Sequence, residues 1–178
     1  DRADALAIAA EITREDGDAA GAARFEQNRL ALLEEAAGRA RDPIEAQVHD
    51  YERMGALVAL GRARDAVALL EGRTKELPDS YEAHARLAQA LLAADEPKRA
   101  VLALDRAIAL AYGPRRLGYL ARKAEVLGKL GDRAAQVETL RSEVSGWRDL
   151  PDGHADPARL ADAEARLAAA ERSLSGKD

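Results

Sequence analysis

The stretch RDAVALL at residues 64–70 returns as KRAVLAL at residues 98–104, with its Ala-Val pair and its last leucine each shifted by 34 positions. Val137 and Leu140 continue the pattern 36 positions later. A fixed period close to 34 residues, built on helical spacing, is typical of a solenoid of helix–turn–helix units. The repeated pattern therefore predicts a repeat protein, in which each unit buries its apolar face by stacking on its neighbours.

Composition supports an all-helical reading of the whole chain. The 178 residues include 42 Ala and 24 Leu, whereas aromatic residues make up 3%. Ala, Leu, Arg and Glu are good helix formers, and no stretch alternates apolar and polar residues for long. We therefore predict an all-α fold, a right-handed α-solenoid of antiparallel helix hairpins with a C-terminal capping helix.

Glycines, prolines and capping residues divide the chain into nine predicted helices. Asp42-Pro43 and Asp156-Pro157 each place a capping aspartate before a first-turn proline. The short turns between most of the helices require antiparallel neighbours. The predicted helices cover residues 2–14, 18–40, 43–59, 62–76, 79–94, 97–111, 114–130, 132–145 and 157–174.

We expect residues 1–178 to form a single domain. The last helix lies outside the repeat rhythm, and a helix in that position usually covers the exposed end of a solenoid. Trp147, beside the long loop, is expected to anchor it. The parts are a diverged first helix pair (1–42), repeats (43–145), a loop (146–156) and the capping helix (157–174). The residues that give the capping helix an apolar side are Leu160, Ala163, Leu167 and Leu174.

The residues at the predicted helix crossings resemble those of the tetratricopeptide repeat family, which has two helices per repeat and small residues where they cross. Residues 44–145 carry the resemblance, although no unit has the family's tryptophan. It implies stacked helix hairpins that hold another molecule on an inner wall. Tyr51, Met54, Gly55 and Val58 fall at the first-helix spacing, with Gly55 in the glycine place, followed by His84, Leu87, Ala88 and Leu91 and then by Leu120, Ala124 and Leu127.

A second resemblance concerns ALAYGPRRLGYLARKAEVLGKLGD at residues 109–132, which is similar to repeats behind a thioredoxin-like domain in some exported bacterial proteins. It implies either the helical module of a larger protein or a descendant that stands alone. The chain begins at Asp1 without methionine, as a cleaved signal peptide, a missing upstream domain or a trimmed chain would leave it. The chain has no cysteine, which does not fix its compartment, so a periplasmic or other exported location stays open.

The sequence offers little for catalysis. It contains no phosphate-loop, H-E-x-x-H or G-x-S-x-G motif. His49 and His84 lie 35 residues apart, close to one period, so a two-histidine metal site with Glu45, Asp50 or Glu82 is conceivable. The favoured interpretation is that His84 packs in the core where the repeat has a large aromatic residue. We therefore expect no catalytic residue, no metal and no cofactor.

The inner wall of the first helices is the predicted binding surface. Its glutamates would repel the peptide carboxylate that one branch of the family binds, so a basic or neutral peptide, or a helix, fits better. The net charge of −5 argues against nucleic acid, and no apolar run approaches the roughly 20 residues that cross a membrane. The candidate residues are His49, Glu52, Glu82, Ala85, Gln89, Arg122 and Glu125.

We accordingly predict a non-enzymatic interaction module with a protein or peptide partner. The first alternative is an accessory module of a multidomain protein, such as one with a thioredoxin-like redox domain upstream. A second alternative is end-to-end packing of copies, which repeats allow when the terminal helix fails to cover the array. The inner wall could also be solvated, or filled by the protein's own last helix, and the oligomeric state stays open.

Overall fold

The computed structural model describes residues 2–151, 153–154 and 156–176. Within these ranges the chain forms ten α-helices and no strand, which confirms the predicted all-α class. Asp1, Asp152, Ala155, Lys177 and Asp178 lie outside the described residues, and Asp152 and Ala155 belong to the predicted loop. The helices are α1 (Arg2–Glu15), α2 (Ala19–Gly38), α3 (Pro43–Gln47), α4 (Asp50–Ala59), α5 (Ala63–Glu76), α6 (Tyr81–Ala93), α7 (Pro97–Leu110), α8 (Gly113–Lys129), α9 (Arg133–Arg148) and α10 (Pro157–Leu174).

The single helix predicted over residues 43–59 is wrong, because it is broken into α3 and α4. Asp42 does cap α3, with its Oδ1 accepting from the Glu45 N–H at 2.9 Å. The break follows Gln47, whose carbonyl accepts a hydrogen bond from Arg86 Nη1 at 2.7 Å. That carbonyl would otherwise accept from the backbone four residues on, so the arginine of α6 replaces a bond of the helical ladder.

The chain groups into two compact units, residues 1–96 and 97–178, and the expectation of a single domain stays a prediction. In the first unit, α1 packs on α2, α2 on α4, and α4 on both α5 and α6. Gly17, with a φ of +85°, makes the turn from α1 to α2, and Asp18 caps the second helix. The buried apolar residues include Ala10, Ala22, Leu30, Leu33, Leu57, Leu70 and Leu91.

In the second unit, α7 packs on α8, α8 on α9, and α9 on α10. Trp147 is buried in one cluster with Leu117, Leu120 and Ala163, which confirms that it anchors the last helix. A Cβ on Gly146 would collide with the Leu117 side chain, so this glycine lets α8 and α9 approach closely. Two expectations are wrong in this unit. Helix α9 extends to Arg148, beyond the predicted end at residue 145. Leu174 is exposed, although it was expected on the packed apolar side of the last helix.

The turns after α4, α6 and α8 set the repeat frame. Gly61, Asp95 and Gly131 all have positive φ angles and occupy equivalent places, 34 and 36 positions apart. In this frame Met54, Ala88 and Ala124 are equivalent, and all three are buried. The placement of Gly55 in the glycine position is therefore wrong by one residue, and Tyr51 and Val58 are exposed instead of packed. The residues that α4 buries are Asp50, Met54, Ala56 and Leu57.

Candidate functional site

The spacing of the turns Gly61, Asp95 and Gly131 defines which residues of the repeats are equivalent. The predicted Glu82, Ala85 and Gln89 of α6, together with the residues 34 positions before and 36 positions after them, define an inner face on the first helix of each pair. His49, Glu52 and Arg122 fall outside these positions, whereas Glu125 stays among them. We use "inner face" for three sets: Val48, Tyr51, Gly55 and Val58 along α3–α4; Glu82, Ala85, Gln89 and Leu92 on α6; and Gly118, Ala121, Glu125 and Gly128 on α8.

The inner face of α4 is apolar and exposed. Val48 is 68% exposed, Tyr51 58% and Val58 37%, and Ile44 one turn earlier is 67% exposed. Single exposed apolar residues are ordinary on protein surfaces, whereas a group on consecutive turns is a candidate contact surface. The sequence reading missed these residues because its frame for this unit was shifted by one.

The predicted candidates of the first unit occupy more polar surroundings. Glu52 lies 3.8 Å from Arg29 Nη2, Ala85 is buried and Gln89 is exposed. Glu82 lies beside Ser80, whose hydroxyl caps α6 by accepting from the Ala83 N–H at 3.2 Å. His49 lies at the break between α3 and α4 and is partly buried. The structure thus places these five side chains on different sides of α4 and α6 instead of gathering them.

A buried ion pair lies beneath the apolar inner face. Asp50 is fully buried and accepts from Arg73 of α5 through two contacts, Nε–Oδ2 at 2.6 Å and Nη2–Oδ1 at 3.3 Å. The hydrogen bond to Asp50 raises the pKa of Arg73 above its usual value, although burial opposes the charge. Both carboxylate oxygens of Asp50 are therefore engaged, which removes Asp50 from the conceivable metal ligands.

The inner face of α8 borders an open cavity of about 450 Å³ between α8, α9 and α10. Small residues make the space, since Gly118 and Ala121 line it on the α8 side. A second cavity of about 340 Å³ shares Glu125 and Arg166 with the first. The other residues lining the first cavity are Glu143 and Trp147 of α9 and Arg159 and Asp162 of α10.

A second buried carboxylate forms the floor of this cavity. Glu143 accepts from Arg166 at 2.8 and 3.1 Å, and its Oε1 lies 3.4 Å from Trp147 Nε1. Burial alone would lower the pKa of Arg166, but the hydrogen bonds and charge of Glu143, together with Asp162, outweigh it and raise the pKa. The Arg159 guanidinium lies 6.0 Å from the centre of the Trp147 ring. These contacts fix the cavity wall by charge-assisted hydrogen bonds.

Arg122 and Glu125, the two predicted candidates of α8, form an exposed ion pair at 2.7 Å. An exposed pair of this kind adds little stability, so both side chains can exchange this bond for one to a ligand.

The histidines do not converge on a metal site. His84 Nε2 donates to the Pro78 carbonyl at 2.9 Å, a role that fixes the proton on that nitrogen. Across residues 2–151, 153–154 and 156–176, no three histidine or carboxylate side chains are arranged to hold a metal ion. No helix in the same ranges combines the length and the apolar character that a membrane crossing requires.

Part of the chain matches a known family of repeats. Residues 57–123 match the model of the tetratricopeptide repeat family. The fold is similar to the nearly identical TPR-like repeats of a kinesin light chain-like protein from Podosopora anserina, with a TM-score of 0.67 and 22% identity over 99% of this chain and 88% of that one. It is also similar to BtubC (BKLC) from P. vanneervenii, with a TM-score of 0.67 and 17% identity over 97% of this chain and 72% of that one.

At these identities the likeness concerns the fold alone. No protein with a curated description matches the chain. The resemblance to tetratricopeptide repeats is confirmed, whereas the resemblance to repeats behind a thioredoxin-like domain stays a prediction.

Proposed function

We propose that the chain, whose residues 57–123 match the tetratricopeptide repeat family, is a non-enzymatic interaction module that binds a peptide or a helix of another protein on its inner faces. The proposal rests on one observation: the packing of each unit leaves inner-face positions open. Tyr51 and Val58 on α4, Gln89 on α6 and Gly118 on α8 are all exposed. A preformed surface of this kind binds without the entropy cost of ordering itself first.

The chemistry of these faces suits recognition rather than reaction. Binding energy in such sites comes from a few anchors in well-packed pockets. The α8 cavity is lined by the aromatic ring of Trp147 together with guanidinium and carboxylate groups. The buried carboxylates Asp50 and Glu143 are both held by arginines, so neither is available as a general base. The alternative of a module behind a thioredoxin-like domain is tested by sequencing the gene upstream of Asp1.

A capture experiment with matched variants tests the proposal. The purified chain is used to capture partners from its source lysate, alongside a variant with Gln89→Arg and Gly118→Arg, which block two exposed inner-face positions. The control variant carries Ala68→Arg and Ser142→Arg, at exposed positions of the second helices α5 and α9. We expect a partner that binds the wild type and the control but not the inner-face variant. A partner lost only in the control contradicts the proposal, and so does the absence of any partner.

A further inference from the structure

We propose that Ile44, Val48, Tyr51 and Val58, hereafter the apolar stripe, dock an amphipathic helix whose apolar side is flanked by basic residues. This inference rests on the proposed function and names the partner chemistry of one inner face. Ile44 and Val48 are four residues apart, Val48 and Tyr51 three, and Tyr51 and Val58 seven. Tyr51 and Val58 lie two turns apart on one side of α4, whereas Ile44 and Val48 belong to α3 and its C-cap, before the break. The four residues span at most roughly 20 Å, the length of about four turns of a partner helix.

The fold itself does not require apolar residues at these positions. The equivalents of Val48, Tyr51 and Val58 in the second unit are Gly118, Ala121 and Gly128, in the same place of the same repeat. The helices of the second unit pack with two glycines and an alanine at these positions. The large side chains of the first unit are therefore not needed for packing. Their exposure costs contact between water and apolar surface, which a partner's apolar side would remove.

The unit that carries the apolar stripe has an excess of acidic side chains. Residues 1–96 carry 20 acidic and 12 basic side chains, whereas residues 97–178 carry 12 acidic and 15 basic ones. Arg41 pairs with Glu45 at 3.0 Å, and Arg53 lies 3.4 Å from Asp50. Each of these contacts balances a carboxylate with an arginine, so the acidic charge that a partner meets is the excess carried by residues 1–96. A partner with Lys or Arg beside its apolar side is favoured by this charge, and one with Glu is disfavoured. Besides the buried Asp50, the carboxylates on α3, α4 and α6 are Glu45, Glu52 and Glu82, and Asp42 caps α3.

The stripe is also held in place before any partner arrives. The Asp50–Arg73 pair fastens the start of α4 to α5, and Arg86 fastens the end of α3 to α6 through the Gln47 carbonyl. In addition, Ser80 donates to Gln47 Oε1 at 2.7 Å. A helix-in-groove site gains affinity when its walls are rigid, because little conformational entropy is lost on binding.

The test uses helical peptides as probes of the full chain. The first peptide has about 18 residues, with leucines at i, i+3, i+4 and i+7 spacing and lysines on both flanks. The second has the same leucines with glutamates in place of the lysines. Fluorescence anisotropy measures their affinities for the wild type, for Tyr51→Ser/Val58→Ser, and for a control, Leu102→Ser, which changes another exposed apolar residue.

We expect the lysine peptide to bind at least about tenfold more tightly than the glutamate peptide, a difference of about 1.4 kcal/mol. Tyr51→Ser/Val58→Ser should lose that binding and Leu102→Ser should keep it, with unchanged unfolding midpoints in both. The inference is overturned if the glutamate peptide binds equally well, if neither peptide binds, or if the double variant binds like the wild type. Self-association of the chain that Tyr51→Ser/Val58→Ser abolishes would overturn it too, by making a second copy the occupant.

Failure of this inference is distinguishable from failure of the proposed function. If a captured partner is lost in the Gln89→Arg/Gly118→Arg variant but kept in Tyr51→Ser/Val58→Ser, the module binds through other inner faces and the stripe inference falls alone. If the partner survives in both variants, the proposed function falls as well.

Discussion

The helix pairs α4–α5 and α8–α9 are equivalent in the repeat frame, but different side chains are buried between their two helices. Seventy positions separate their equivalent residues, so Asp50 corresponds to Leu120 and Arg73 to Glu143. In the first unit the two charged residues bind each other inside the pair. In the second unit Leu120 joins the apolar cluster, and Glu143 binds Arg166 of the next helix, α10.

This difference shows that the same helix pair can hold a buried ion pair between its own two helices, or a buried carboxylate that binds an arginine of a third helix. The apolar Leu120 needs no polar partner, which leaves Glu143 to bind a third helix. Arg166 is about one-third exposed, whereas Arg73 is 7% exposed. The first pair is therefore self-contained, and the second depends on α10 to satisfy its buried carboxylate.

The largest expected effect comes from breaking the internal pair. Arg73→Leu removes both of the Arg73 contacts to Asp50 and leaves only Arg53, at 3.4 Å, beside this buried carboxylate. The free energy of unfolding should therefore fall by about 3 kcal/mol, the lower end of the cost of breaking a buried pair. The double variant Asp50→Leu/Arg73→Leu, which copies the leucine of α8, should regain most of the loss. Chemical denaturation of the three proteins checks both statements. A loss below about 1 kcal/mol in the single variant would contradict this expectation and show that Arg53 or water compensates the charge of Asp50.

Arg166→Leu should have a smaller effect on the outward-directed pair. It removes two charge-assisted hydrogen bonds from Glu143, but the partly exposed site lets water replace some of them, so we expect a loss of about 2 kcal/mol. Because the contact ties α10 to α9, amide hydrogen exchange should accelerate first in α10. Uniform acceleration across α7–α10 would show instead that the second unit unfolds as a whole.

Gly146→Ala should destabilise the second unit by about 1–3 kcal/mol, since the added methyl group collides with buried Leu117 where α8 and α9 approach. Thermal unfolding followed by circular dichroism measures the shift in midpoint. An unchanged midpoint would mean that Leu117 moves aside at no cost.

The smallest expected effect comes from Gly118→Ala, which is the matched comparison for Gly146→Ala. No atom lies within 4 Å of the added methyl group, and α8 gains a better helix former, so stability should rise by about 0.5–1 kcal/mol. The same unfolding measurement applies. Destabilisation by this variant would contradict the open space beside α8.

Local signals were sufficient to predict the architecture from the sequence. The period near 34, the turn glycines Gly61 and Gly131, and the capping aspartates Asp42 and Asp156 all act within a few residues of where they stand. The break between α3 and α4 was not predictable in this way, because it depends on Arg86, which is 39 residues from the carbonyl it binds.

The candidate site was predicted only in part, for a related reason. Glu82, Ala85, Gln89 and Glu125 follow the true frame. In the first unit the spacing predicts Gly55 as the small residue where the helices cross, but the position equivalent to Ala88 and Ala124 is Met54. Anchoring the frame on the turns Gly61 and Asp95, which are 34 positions apart, would have found Val48, Tyr51 and Val58. Nothing local marks Asp50 as a buried residue, since its partner is 23 positions away.

The Asp50–Arg73 pair also bears on how a chain of similar helices finds the right neighbours during folding. Repeat proteins are prone to pairing an element with the equivalent element of another repeat. If α4 closed on α9 instead of α5, the buried carboxylate of Asp50 would meet that of Glu143, the residue equivalent to Arg73. If α8 closed on α5, Arg73 would face Leu120 and keep only Glu76, the carboxylate of its own helix. Each exchange separates Asp50 from Arg73, so the ion pair favours the correct hairpin over these alternatives.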